Sequence, residues 1–499
     1  MDAERFDSVV TRAVALFQPT GLAVAVVQDG QLRYLAARGE VQRRSQQAVS
    51  PATPFAIASM TKEFTGTALA LLVQDGTLRW DDPVVRHLPA FAMADPYVTA
   101  HMTVRDLLVH RSGLALGAGD LLTWPDSRWT PEDILRALPY LPLDHGFRER
   151  FVYDNTLYIV AGEIIRAVSG LSWATFVQQR LLAPLGMRDC APAPDGRAAA
   201  QQHAGGFGNA RPLTVTVWHP DPAGSIVCSA ADLARWGQLH ASLGRLPGGD
   251  RLLDEAVLRE VHSPVTMMRP SGLDRRLGGT HVQGYALGWM AADFHGHLAL
   301  WHGGTAPGGT TEMIVLPERR AAIVVLVNDQ TPVAMPLARQ LADVIVRGAQ
   351  AADWLGDVAA RMKPATVASS AKIGVIPAAA PPMRSAAPTS GASRTAPLAV
   401  HAGRFHDRWY GDITVTVAGP DSLELHLTRS ALLRGPLIPL GGGQFLARWP
   451  DRTLNADAIV TFEYGPDGVP VAITMKAASS DTDFSYDFHH LRAVRRRPG

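Results

Sequence analysis

Residues 363–398 divide the chain. This stretch includes AAAPPMRSAAPTSGASRTAP, a run of Pro, Ala and Ser with little periodicity. So few large apolar side chains cannot pin such a segment into a core, and its prolines hold it semi-extended. It reads as a linker between a domain over residues 1–362 and a smaller one over 399–495.

The two flanks differ in hydrophobic period. The first opens with an amphipathic helix near residues 3–17, then an apolar strand (Leu22 to Val27), an Asp29-Gly30 turn and a second strand (Leu32 to Ala36), which together read as a hairpin. A nearly all-apolar helix starts near Ser59 and runs through FTGTALALLV, and residues 80–200 read as mixed helices and loops. From about residue 284 the pattern turns to strands: YALGWMAADF, HLALWH, TTEMIVL and, after a Pro317–Arg320 turn, AAIVVLVN, with a helix over 332–348. Strands at both ends and helices between predict an α+β domain with an antiparallel sheet that joins both termini. Beyond the linker the period becomes two: Ile413, Val415 and Val417; Leu423, Leu425 and Leu427; Val460, Phe462 and Tyr464; Val471, Ile473 and Met475; Phe484, Tyr486 and Phe488. Short alternating strands of this kind predict a small antiparallel β-barrel or sandwich.

One imbalance in composition points to chemistry. Of 47 basic residues only four are lysine: Lys62, Lys363, Lys372 and Lys476. Arginine serves as well as lysine for surface charge but cannot lose its proton near neutral pH. A single lysine in an arginine-rich domain is therefore a candidate for work that needs a neutral amine. Lys62 stands in Ser59-Met60-Thr61-Lys62, and serine and lysine at i and i+3 share one helix face. Ser59 would sit at the helix start, where unpaired N–H groups and the helix dipole favour negative charge. A buried lysine with a lowered pKa can take the serine's proton and make it a nucleophile.

Two further motifs follow. Tyr153-Asp154-Asn155 precedes another apolar helix; a tyrosine near a cation, its pKa lowered, can shuttle a proton, and an asparagine can bond the lysine and a substrate carbonyl together. Trp301-His302-Gly303-Gly304-Thr305 ends the strand HLALWH, and two glycines beyond a strand would let a ligand approach the backbone. N–H groups of Ser59 and Thr305 could then form an oxyanion hole.

Together these motifs resemble the serine β-lactamase and penicillin-recognising family, in particular its class C β-lactamase, D-aminopeptidase and esterase branch. The family pattern is Ser-x-x-Lys, Tyr-x-Asn, then Lys/His-x-Gly, matched here by Ser59/Lys62, Tyr153/Asn155 and His302/Gly304; MTVRDLLVHRSGL (102–114) is also family-like. The resemblance covers roughly residues 5–350 and implies a β-lactamase/transpeptidase-like fold. It implies Ser59 as acylated nucleophile, Lys62 and Tyr153 as the general-base network, Asn155 as a positioner of substrate, and His302 facing the substrate's far end. The C-terminal part, with GRFHDRWYGDITV and FLARWPDRTL, resembles a lipocalin-like barrel appended to some bacterial relatives. Penicillin hydrolysers carry lysine where this chain has His302, and loss of that charged contact would cost ~1.5–3 kcal/mol of carboxylate binding. The resemblance thus implies a D-aminopeptidase-like peptidase or amidase. An esterase or weak β-lactamase and a non-turnover penicillin-binding protein are the alternatives.

The remaining signals exclude rivals. With 47 basic against 46 acidic side chains, no strong field exists to gather nucleic acid, and Arg495–Arg497 reads as a solvated tail. No stretch reaches about 18 uninterrupted apolar residues, so no membrane partner is expected. The N-terminal MDAERFDSVVTRAVALF is acidic where a signal peptide is basic, which predicts a cytoplasmic location, or a periplasmic one if a leader has been removed. Cys190 and Cys228 allow at most one disulfide and no zinc cage. His295 and His297 would share a strand face without a clear carboxylate partner, so no metal is expected. The loop Gly303–Gly309 lacks the Gly-Lys-Ser/Thr ending of a phosphate loop, so no nucleotide cofactor is expected. The expected partner is a small peptide, amide or ester substrate, with a homo-oligomer possible.

Overall fold

The computed structural model describes residues 2–125, 127–196, 199–213, 221–362 and 398–496; nearly all of the Pro/Ala/Ser stretch lies outside them. The first unit is built on one antiparallel sheet of eight strands: β1 (Gly21–Gln28), β2 (Gln31–Gly39), β3 (Thr266–Met268), β4 (Gln283–Tyr285), β5 (Met290–Phe294), β6 (His297–Ala306), β7 (Gly309–Leu316) and β8 (Ala321–Val327). Their order across the sheet is β2-β1-β8-β7-β6-β5-β4-β3. The first strand and the last therefore lie side by side, with Leu22 opposite Val327 and Val26 opposite Ile323.

β1 and β8 are buried along almost their whole length, which requires cover on both faces. On one face α1 (Asp2–Phe17) and α5 (Ala334–Arg347) set Phe6, Val10, Phe17, Leu337 and Leu341 against Val24, Val26, Ile323 and Val325. On the other, α4 (Ala230–Ala241) lies against β1 and β8, its Trp236 stacks on Phe64 of α2 (Thr61–Gln74), and α3 (Thr156–Ser169) packs on α2, all within the core that holds Ala23, Ala25, Val324 and Leu326. α2 is the central element: twelve of its fourteen residues are buried, including Thr61, Lys62, Glu63, Thr65 and Thr67. A polar helix face this deep needs partners for each group.

The second unit is a closed barrel of β9 (Gly403–Asp407), β10 (Gly411–Gly419), β11 (Ser422–Leu427), β12 (Arg434–Gly441), β13 (Gln444–Ala447), β14 (Ala458–Tyr464), β15 (Pro470–Ala477) and β16 (Arg492–Arg495). Closure comes from β9 pairing with β16, Phe405 opposite Arg495, so no edge is left open. Inward residues such as Phe405, Ile413, Leu425, Val460 and Ile473 fill it.

Four readings of the sequence are corrected. Residues 483–488 are not a strand: the segment is a loop running into a 3-10 turn at Phe488–His490, and its side chains serve an interface with the first unit. β6 does not end at His302 but continues to Ala306 through both glycines. His295 and Gly296, both at positive φ, form the two-residue turn between β5 and β6, so His295 and His297 do not share a strand face. Arg495 is no frayed tail: it closes the barrel, donates to the carbonyls of Val400 and Ala402, and lies over the Phe405 ring. The two cysteines form a disulfide, Cys190–Cys228.

Candidate active site

Ser59 lies on a 3-10 turn, Ala58–Met60, that runs directly into α2. The turn is fixed from outside: the Thr311 hydroxyl donates to the Ile57 carbonyl at 3.0 Å, and the Ile57 N–H donates to the Ile226 carbonyl at 3.0 Å. Ala58 takes a left-handed φ of +48°, which costs a residue with a Cβ energy that the surrounding structure must hold in place. Gly304 explains itself here. A Cβ on it would stand 2.1 Å from the Ile57 carbonyl oxygen and 2.4 Å from the Thr311 hydroxyl, so glycine lets β6 press against the turn that carries Ser59. The two glycines thus serve contact between protein elements: a Cβ on Gly303 would meet the buried Glu312 carboxylate at 2.6 Å.

Lys62 is fully buried, and its Nζ has three neighbours: Ser59 Oγ at 3.1 Å, Asn155 Oδ1 at 2.8 Å and the Ala223 carbonyl at 2.8 Å. The last two can only accept. A neutral amine therefore satisfies both with its two hydrogens and keeps its lone pair for Ser59. Burial pushes the Lys62 pKa down to about 7, against the opposing pull of Asp221, Asp120 and Asp154. The Ala223 carbonyl is aimed by a tight turn in which Asp221 Oδ1 accepts the Ala223 N–H at 2.7 Å.

Tyr153 Oη donates to Ser59 Oγ at 2.9 Å, and Lys62 Nζ lies 4.9 Å from its ring centre. The expectation of a lowered phenol pKa fails: burial, reinforced by nearby carboxylates, pushes it upward, so Tyr153 is a protonated donor. Asn155 Oδ1 faces the lysine as expected, while Nδ2 donates to Asp120 Oδ2 at 2.9 Å. One of the two Nδ2 hydrogens is thus engaged within the protein.

His302 also departs from expectation. It is buried, with Nδ1 2.7 Å from the Gly303 carbonyl and Nε2 2.9 Å from Tyr285 Oη. A carbonyl only accepts, so the proton sits on Nδ1 and Tyr285 donates to Nε2. Burial, then the neighbouring Lys62, holds its pKa down to about 3. A neutral imidazole committed to Tyr285 offers no charge to an anionic substrate. Thr305 is exposed on the part of β6 beyond Trp301, where pairing with β5 has ended.

The structure thus brings Ser59, Lys62, Tyr153 and Asn155 into one hydrogen-bonded group, sets Gly304 against the turn that carries Ser59, and buries His302 against Tyr285. Sequence reasoning missed Asp120 and His110. His110, within the family-like stretch 102–114, is buried at a left-handed φ of +54° with its ring centre 4.3 Å from that of Tyr153, and its Nδ1 accepts the Asp154 N–H. Among the described residues no three His, Cys, Asp or Glu side chains are grouped to hold a metal, and no single helix is long and apolar enough to cross a membrane.

Comparison with known proteins decides the family. Residues 6–347 match the family model described as Beta-lactamase. The chain belongs to the beta-lactamase family. Residues 387–495 match a domain of unknown function, DUF3471. Penicillin-binding protein 4 of Amycolatopsis lactamdurans is 30% identical over 337 residues, covering 65% of this chain and 84% of that one. The octameric penicillin-binding protein homologue from Pyrococcus abyssi superposes with a TM-score of 0.61 at 20% identity, over 96% of this chain and 98% of that one, and so shares the fold including the barrel. The D-amino acid amidase of Ochrobactrum anthropi superposes with a TM-score of 0.51 at 26% identity, over 66% of this chain and 92% of that one. The chain is a serine hydrolase of this family.

Proposed function

We propose that the chain cleaves small amides or peptides through an acyl-enzyme on Ser59, with D-aminoacyl amides and peptides as the favoured class. One observation carries the mechanism: Lys62 Nζ, its two hydrogens engaged by Asn155 and Ala223, stands 3.1 Å from Ser59 Oγ. Ser59 Oγ attacks the substrate carbonyl carbon as its proton passes to the Lys62 lone pair. The carbonyl oxygen becomes an oxyanion held by the N–H groups of Ser59 and Thr305. As the carbon–nitrogen bond breaks, Tyr153 gives its proton to the departing nitrogen and takes the one held by Lys62. Water then attacks the acyl carbon and gives a proton to Lys62, Ser59 leaves with a proton, and the starting state returns.

The substrate class rests on the similarity to D-amino acid amidase and on the neutral, committed His302, which lacks the cation that would grip a β-lactam carboxylate. The test is a screen of the purified protein against D- and L-aminoacyl amides, p-nitrophenyl esters and nitrocefin, beside Ser59→Ala. Preferential cleavage of D-aminoacyl amides, abolished in the variant, supports the proposal. Vigorous nitrocefin turnover would replace it with a β-lactamase, and a labelled penicillin that stays on Ser59 without turnover would replace it with a penicillin sensor. Self-association, for which the octameric homologue is the motive, is checked by light scattering.

A further inference from the structure

One loop of the barrel reaches the residues that surround Lys62. Between β15 and β16, Ser485 Oγ donates to Asp120 Oδ2 at 2.8 Å, across 365 residues of sequence. Asp120 is buried, and the same oxygen accepts the Asn155 Nδ2 hydrogen at 2.9 Å. Its other oxygen, Oδ1, is buried with no hydrogen-bond partner among the described residues. The neighbouring Asp487 holds the same turn, accepting the N–H groups of Gly119 at 2.8 Å and Leu121 at 3.1 Å. Phe484 lies edge-on to Tyr153, ring centres 6.1 Å apart, and presses on Gly117, where a Cβ would come within 2.7 Å of its ring.

We infer that the barrel completes the active site: Ser485 is a positioning residue that fixes the Asp120 carboxylate and, through Asn155, decides which end of that amide faces Lys62. Oδ2 accepts from both Ser485 and Asn155, so Asp120 takes the Nδ2 end of Asn155 and turns Oδ1 toward the lysine. With oxygen facing it, the amine spends a hydrogen on Asn155 and keeps its lone pair for Ser59. With nitrogen facing it, the amide would compete with Ser59 for that lone pair. Among the described residues Ser485 and Asn155 are the two side-chain donors holding Asp120, and loss of one lets the carboxyl group turn. Other barrel contacts, such as Arg408 stacked 4.2 Å over the Tyr140 ring, lie outside this relay.

The inference rests on the acyl-enzyme reading, so the experiment measures modification of Ser59 by a fluorophosphonate probe, which needs no known substrate. Ser485→Ala should lower the maximal labelling rate about tenfold while the half-saturating probe concentration moves less than about twofold. Ser485→Thr, which keeps the hydroxyl, should restore the rate, and Arg408→Ala should leave it unchanged. Asp120→Asn should slow labelling, and adding Ser485→Ala to it should cost nothing more, because the serine acts through that carboxylate. Should the alanine variant fail to fold, Ser485→Cys, a weaker donor of similar size, should label more slowly than both wild type and the threonine variant. Wild-type rates in Ser485→Ala or Ser485→Cys, no recovery in Ser485→Thr, or multiplicative losses with Asp120→Asn would overturn the relay. A wild-type protein that takes no probe would overturn the acyl-enzyme reading itself.

Discussion

Lys62 and Glu63 are sequence neighbours on α2, both fully buried, and they face opposite fates. On the Lys62 side the amine has three neighbours, one of them the Ser59 hydroxyl. On the Glu63 side one carboxyl oxygen accepts the Trp236 indole N–H at 2.8 Å and the other is buried without a hydrogen-bond partner among the described residues. Around it Trp236 stacks on Phe64, and His240 bonds His262 at 2.9 Å. Burial pushes both imidazoles toward neutrality, His262 to about 3, and raises the Glu63 pKa well above the ordinary carboxyl range. Desolvation therefore does the same thing on both sides: it removes charge. The sides differ in what the neutral group can do. A neutral lysine has a lone pair beside a hydroxyl, whereas the Glu63 carboxyl is bonded to the Trp236 indole. A perturbed titration marks a catalytic group only when a reacting atom is within its reach.

The comparison is broken most severely from the lysine side. Lys62→Arg keeps the charge and removes the base, and should cost at least ~10²-fold in Ser59 labelling; near-normal rates would take the lysine out of the mechanism. Gly304→Ala comes next. Its Cβ, 2.1 Å from the Ile57 carbonyl, would push the nucleophile turn, and labelling should fall by about tenfold or more, with stability reduced by ~1–3 kcal/mol in a denaturant melt. Gly66→Ala, also on α2, sharpens the contrast, because its Cβ would come within 2.2 Å of the Leu287 carbonyl in the turn between β4 and β5. It should lose stability of the same order while labelling of the folded protein falls less than in Gly304→Ala. The smallest effect is expected from Glu63→Gln. A carboxyl with a raised folded pKa stabilises the fold less as pH climbs above its unfolded value of 4.5. Replacing it should therefore leave labelling within about twofold, leave Tm unchanged near pH 4.5 and raise Tm at pH 8; a lower Tm at pH 8 would show that Glu63 is charged in the fold.

Much of this architecture was legible because chemistry and periodicity left marks in the chain. The continuous apolar runs of β1 and β8 marked strands, and a single lysine before residue 363 marked a candidate for work that needs a neutral amine. Side chains whose importance is purely positional left no such mark. Asp120 is an unremarkable acid in GAGDLL until the fold lays Asn155 and Ser485 on it. His302 matched a motif position, yet its burial against Tyr285 depends on how separate strands pack together, which no local pattern predicts. Residues 483–488 misled for a physical reason. Their alternation is real, but Phe484 and Tyr486 meet Tyr153 and Trp124 across the interface while Phe488 turns toward Trp449 inside the barrel. Period two reports two environments, and here neither belongs to a sheet.

The most direct test of the neutral-amine account is the pH dependence of Ser59 modification by the fluorophosphonate. With Lys62 held near 7 by burial, and Asp120, Asp154 and Asp221 the carboxylates acting on it, labelling should be slow at pH 5.5, rise through a single step centred near pH 7 and level off by about pH 8.5. A rate that does not change across this range, or one still climbing toward the ordinary lysine value of 10.5, would contradict it.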